Sequence, residues 1–149
     1  MNELEKIIEE QKIFFRTGKT NTEDFRKKAL IKLKNSIKKY RDDILYALKM
    51  DLNKSTTESY ISEIANVYGE IDFALKNLSD WMKDKSEITN IEAAPAKSLT
   101  RYEPLGLTLV ISPWNYPFLL AIDPIVNAIS SGNTIILKTS RKAFYTSKI

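Results

Sequence analysis

Two short apolar runs, separated by a proline-studded turn and a helical stretch, constrain this chain more than any other feature. The segment from Glu103 to Ser140 reads EPLGLTLVISPWNYPFLLAIDPIVNAISSGNTIILKTS. Leu107-Thr108-Leu109-Val110-Ile111 is rich in β-branched residues and is announced by Pro104 and Gly106, so it reads as a strand buried on both faces. Ser112-Pro113-Trp114-Asn115-Tyr116-Pro117 cannot continue a sheet, because each proline lacks a ladder donor, and Pro117 suits the start of a helix. That helix is predicted from about Phe118 to Ser131, with Pro124 kinking it or resetting its first turn and Gly132-Asn133 supplying a left-handed stop. Thr134 to Leu137 is then a second strand, parallel to the first because a helix lies between them.

Ligands in such sheets sit at the carboxyl ends of the strands. Asn115 follows the first strand and Lys138 the second, and no glycine stands in the turn between strand and helix to make an ordinary dinucleotide loop. These residues alone mark a site without naming a ligand. An asparagine in a turn often only caps its own backbone, and a lysine ending a strand is ordinarily just solvated.

The rest of the chain is organised as helices. Leu4, Ile7, Ile8, Gln11, Phe14 and Phe15 form one stripe of a helix over residues 2–15, which Gly18 ends. Asn21 or Thr22 starts another, along which Phe25, Ala29, Leu33, Ile37, Tyr40, Ile44 and Leu48 step by threes and fours without interruption. After a break over residues 51–54, Ser55 and Glu58 form a capping box for a second long helix. Its seam is Ile61, Ile64, Tyr68, Ile71, Leu75, Leu78 and Met82, flanked by Tyr60, Val67, Ala74 and Trp81, a face too wide to leave in water. A polar loop around Pro95 comes next, and Ser98 to Glu103 reads as a weak strand.

With no cysteine and no histidine among its 149 residues, the chain has no disulfide, no thiolate or imidazole metal site and no cysteine nucleophile of its own. No metal is expected. The net charge of +4 comes from lysines interspersed with acids along helices, a solvated surface and not a nucleic-acid patch. The N-terminus is acidic and amphipathic, unlike a secretory signal, and no apolar run approaches the roughly 20 residues of a membrane span, so the expected location is cytoplasmic.

Glu103-Pro104-Leu105-Gly106, Pro113 to Phe118, Gly132-Asn133-Thr134 and Leu137 to Ser140, in that order and at these separations, resemble the first blocks of the NAD(P)-dependent aldehyde dehydrogenase superfamily. The Trp-Asn-Tyr-Pro-Phe form is most similar to the class 3, fatty-aldehyde branch, and the resemblance extends through the helical region, weakening over the basic residues 141–149. It implies an α/β fold: N-terminal helices over residues 1–85, a β arm used for oligomerisation over 86–103, and over 104–149 the first βαβ unit of an incomplete Rossmann-like cofactor domain. Residues near Ile88 to Ile91 and Ser98 to Tyr102 would form the arm.

The same resemblance implies the site. Asn115 would be catalytic, donating its side-chain N–H to the oxygen of the tetrahedral intermediate formed when a cysteine attacks an aldehyde. Lys138 would contact the adenosine ribose of NAD or NADP, Ser112, Pro113 and Trp114 would line the nicotinamide side, and Ser140 would belong to the cofactor wall. Thr139 stands where the family usually has proline and Arg141 where it usually has a glutamate that shares the ribose contact, which leaves NAD against NADP open. The family's second glycine loop, general-base glutamate and nucleophilic cysteine would all fall beyond Ile149. The expectation is therefore an N-terminal portion, truncated before the catalytic cysteine and silent alone. The alternative is a non-catalytic interaction protein, pairing with itself or with a larger homologous subunit.

Overall fold

The computed structural model describes residues 2–149. Helices α1 (Glu3–Arg16), α2 (Glu23–Lys39), α3 (Arg41–Leu52), α4 (Thr56–Ser59) and α5 (Ala65–Trp81) precede two small sheets, strands β1 (Lys85–Glu87) and β2 (Ser98–Thr100), then β3 (Leu107–Ile111), α6 (Leu119–Ser130) and β4 (Thr134–Lys138). The N-termini carry the expected caps. Asn2 and Glu5 close a reciprocal box on α1, and the Thr22 hydroxyl accepts from the N–H of Phe25. Ser55 accepts from the N–H of Glu58, but no reciprocal bond from the Glu58 side chain forms among the described residues, so the expected box is half made.

The long apolar ladder from Phe25 to Leu48 is not one helix. Tyr40, with φ −99° and ψ 17°, separates α2 from α3, although Tyr40 N–H still donates to Ser36 and its carbonyl still accepts from Ile44. Hydrophobic spacing survives such a joint, which is why the pattern hides it.

A second departure lies in the next helix. Between α4 and α5 the backbone widens into a π turn over Tyr60–Ile64. One extra residue per turn rotates the upstream half of the helix relative to the downstream half. Downstream, Ile64, Val67, Ile71, Ala74 and Leu78 are buried, whereas Ile61, expected on the seam, is 62% exposed, and Ser59 and Glu63 turn inward. The core joins Ile64, Val67, Ile71 and Ala74 to Leu30, Ile37, Ile44, Leu45 and Leu48 of the preceding helices, to Phe118 just ahead of α6 and to Val126 within it.

β3 and β4 pair in parallel with Leu107 opposite Thr134 and Ile111 opposite Lys138, as the βαβ reading requires. Their burial differs from expectation. Leu109 is 61% and Ile111 64% exposed, because two strands with one crossover helix leave part of the sheet uncovered. α6 continues through Pro124 and closes with a Schellman motif: Asn133 N–H donates to Ala128 and Gly132, at φ +85°, donates to Ile129. Asn133 then joins helix end to sheet start, its Oδ1 accepting from Gly106 N–H at 2.8 Å.

Where the arm is expected, β1 and β2 form an antiparallel pair, Lys85 opposite Thr100 and Glu87 opposite Ser98. Its first strand lies just before the expected Ile88 to Ile91, whose apolar side chains sit instead in the connecting loop, with Ile88 fully exposed. Asp84 and Arg101 brace its base in a two-pronged ion pair of 2.7 and 2.5 Å. Among the described residues no helix is long and apolar enough to cross a membrane.

Candidate functional site

The site forms where β3 and β4 end side by side. Ser112 N–H donates to the Lys138 carbonyl at 3.0 Å, carrying the ladder one step past β3 and placing the Ser112–Pro117 turn next to Lys138. Ser112 is buried, while Pro113, Trp114 and Asn115 are exposed. The Asn115 side-chain amide makes no hydrogen bond among the described residues, so it does not cap its own turn. Lys138 is also exposed, and its ammonium has no protein hydrogen-bond or salt-bridge partner among those residues. The Ser140 hydroxyl accepts from Lys142 N–H at 3.3 Å, turning the chain after β4.

The candidate residues do not all share one cavity. An apolar cavity of about 230 Å³ lies between α2, α6 and the chain after β4; Ser112 and Ser140 line it with Ile37, Phe118 and Ala121. Asn115, Trp114, Pro113 and Lys138 lie outside that lining, at the open strand ends. No group of three or more acidic side chains gathers to hold a metal among the described residues.

What holds the turn comes from the helical layer, and the sequence reading did not single it out. Glu63, inside the π turn, is fully buried. Its Oε2 accepts from the N–H groups of Phe118 at 2.9 Å and Leu119 at 3.2 Å, where α6 begins. This is a carboxylate satisfying orphan donors at the positive end of a helix dipole. Its Oε1 receives Lys54 Nζ at 2.5 Å, and the Lys54 side chain is only 10% exposed. That ammonium also lies 4.0 Å from the centroid of the Tyr116 ring and 3.5 Å from the Asn115 carbonyl. A glutamate between Ile61 and Ile64 in an otherwise apolar seam was the signal that could have revealed it. Removing one member of a pair buried this deeply leaves an uncompensated charge, a cost of about 3–5 kcal/mol.

A family model described as the aldehyde dehydrogenase family matches residues 2–149. The chain belongs to the aldehyde dehydrogenase family. The match includes residues 141–149, where the motif resemblance weakens. It is 43% identical over 140 residues to 4,4'-diaponeurosporen-aldehyde dehydrogenase of Staphylococcus aureus, an alignment covering 94% of this chain and 30% of that protein. It is 38% identical over 149 residues to aldehyde dehydrogenase family 3 member B1 of Rattus norvegicus, covering all of this chain and 32% of that one. The chain thus spans about a third of the length of the curated relatives it matches.

Solved aldehyde dehydrogenases share the fold. The substrate-bound AldH of Staphylococcus aureus superposes with a TM-score of 0.96 at 40% identity, over 99% of this chain and 32% of that one. Glyceraldehyde-3-phosphate dehydrogenase GapN of Methanocaldococcus jannaschii, complexed with NADP, gives 0.83 at 23% identity over 98% and 31%, a likeness of fold alone. The chain matches the N-terminal part of the aldehyde dehydrogenase fold.

Proposed function

We propose that this chain serves as the N-terminal part of an NAD(P)-dependent aldehyde dehydrogenase that oxidises an aldehyde to a carboxylate. The observation that carries the reading is the side-chain amide of Asn115, without a hydrogen bond among the described residues and exposed at the carboxyl end of β3 on a backbone held from both sides. A fixed neutral donor aimed at an oxygen that gains negative charge is worth about 10² to 10³ in rate. Asn115 is therefore the oxyanion donor. Family membership supports this assignment.

Lys138 fits the cofactor by its donor chemistry: a cation without a hydrogen-bond or salt-bridge partner among the described residues, one strand over from Asn115, suits ribose hydroxyls and a nearby phosphate. Ser112, Pro113 and Trp114 would shape the nicotinamide side, with Ser140 behind Lys138. When bound, NAD or NADP supplies the hydride acceptor. The nucleophilic thiolate must come from outside these residues, which contain no cysteine, so the chain alone does not oxidise aldehydes.

The test is steady-state kinetics of the complete dehydrogenase carrying this segment. Asn115→Ala is expected to lower kcat by about 10² to 10³ with little change in the KM for the cofactor. An unchanged kcat refutes the assignment. A second reading, a non-catalytic chain pairing with itself or with a larger homologous subunit, draws on the exposed apolar side chains Ile88, Ile91 and Leu99 of the arm. Sedimentation that shows a strict monomer, alone and with the larger subunit, removes it.

A further inference from the structure

We propose that Glu63 and Lys54 are positioning residues for Asn115, setting the aim of the oxyanion donor from the helical layer. This rests on the assignment of Asn115 as that donor. The turn carrying Asn115 has no glycine-rich loop, and among the described residues no hydrogen bond from the Asn115 side chain fixes it. Three contacts hold its backbone instead. Upstream, Ser112 is tied to the Lys138 carbonyl. At the residue itself, the Asn115 carbonyl faces Lys54 Nζ at 3.5 Å. Downstream, Phe118 and Leu119 donate to Glu63. The last two belong to one buried unit, because the same glutamate receives Lys54 on its other oxygen.

Both carboxylate oxygens are thus committed, one to the lysine and one to the start of α6. The pair grips the peptide on either side of Tyr116, whose ring rests against the lysine. The π turn is what delivers the carboxylate there, since it brings Glu63 inward while the neighbouring Ile61 faces out. A donor contributes to catalysis only when it already points at the place where charge will develop, and displacements of about 1 Å can cost roughly 10²-fold. Neither Glu63 nor Lys54 needs to touch substrate or cofactor to matter.

Glu63→Gln preserves shape but leaves one acceptor oxygen for two tasks. In the complete dehydrogenase it should lower kcat about tenfold and leave the cofactor KM within about twofold. Lys54→Met, which spares the two N–H bonds to Glu63, should lower kcat about threefold. The deciding experiment is the cycle with Asn115→Ala. If the pair acts by aiming Asn115, then Glu63→Gln adds no further loss once that amide is gone. A double variant slowed by the product of the two single effects overturns the proposal, as does a folded Glu63→Gln enzyme with unchanged kcat. Should Glu63→Gln not fold, the same cycle with Lys54→Met decides by the same criteria. An Asn115→Ala enzyme with normal kcat is a different failure: it refutes the assignment of Asn115, and this proposal with it.

Discussion

Gly132→Ala should be among the most damaging single-methyl changes in this chain. The residue ends α6 at φ +85°, a region that costs a non-glycine residue about 1–2 kcal/mol. The larger effect is steric and electrostatic. A Cβ there would lie 2.3 Å from Arg26 Nη2 and 2.6 Å from its Cζ, so the guanidinium must leave. Arg26 is buried, donating from Nε to the Thr20 carbonyl at 2.7 Å and from Nη1 to the Ser130 carbonyl at 3.1 Å. Hydrogen bonds from a charged donor contribute about 1.5–3 kcal/mol each, so losing both with the backbone strain gives a total of about 4–8 kcal/mol. Against a usual stability of about 5–15 kcal/mol, that is a large fraction. Urea unfolding followed by far-UV circular dichroism measures it, compared with the same substitution in an Arg26→Ala background. There the clash is absent and the cost should fall to about 1–2 kcal/mol, a coupling of at least about 2 kcal/mol. Equal cost in the two backgrounds, within about 0.5 kcal/mol, would falsify the role given to Arg26.

Two further expectations concern pH. The Arg101 hydrogen bonds hold the Asp84 carboxyl below the usual carboxylate range, so the brace at the base of the arm is fully present above that range. It is lost as pH falls through the depressed value, and the protection of β1 and β2 amides relative to their intrinsic exchange should drop there, whereas Asp84→Asn should lack that protection already at neutral pH. Burial pushes Asp123 in the opposite direction, upward. Its protonated form favours the fold, so this contribution is present in acid and disappears as pH rises. Asp123→Asn should accordingly raise Tm slightly at neutral pH, an advantage that vanishes below the carboxylate range; a Tm difference independent of pH would count against burial as the cause.

The strands at the site were legible because punctuation and composition agree there. Gly106 before Leu107, prolines after Ile111 and Gly132 before Thr134 bracket β-branched runs, and β3 and β4 fall where those marks put them. The positions of Asn115 and Lys138 at the strand ends came from the same topology. The joint at Tyr40 and the π turn did not, because apolar spacing in the sequence runs on through both, and only the folded backbone turns Ile61 out of the stripe. β1 falls ahead of the expected stretch because Ile88 and Ile91 look like strand residues, yet nothing among the described residues covers them. Glu63 was hidden for a different reason. Read locally it is a blemish in an apolar seam, and its meaning resides in Phe118 and Leu119, far along the chain.

That separation has a consequence in time. Glu63 leaves the ribosome 55 residues before the amide of Phe118 that it caps, roughly 3–11 s earlier at ordinary rates of synthesis. During that interval a carboxylate destined for complete burial has no helix end to receive it. Lys54, only nine residues away and made first, can meet it at once. Among the described residues Lys54 is thus the one partner of that carboxylate made before it, and Phe118 and Leu119 can take the other oxygen only once the start of α6 has been synthesised.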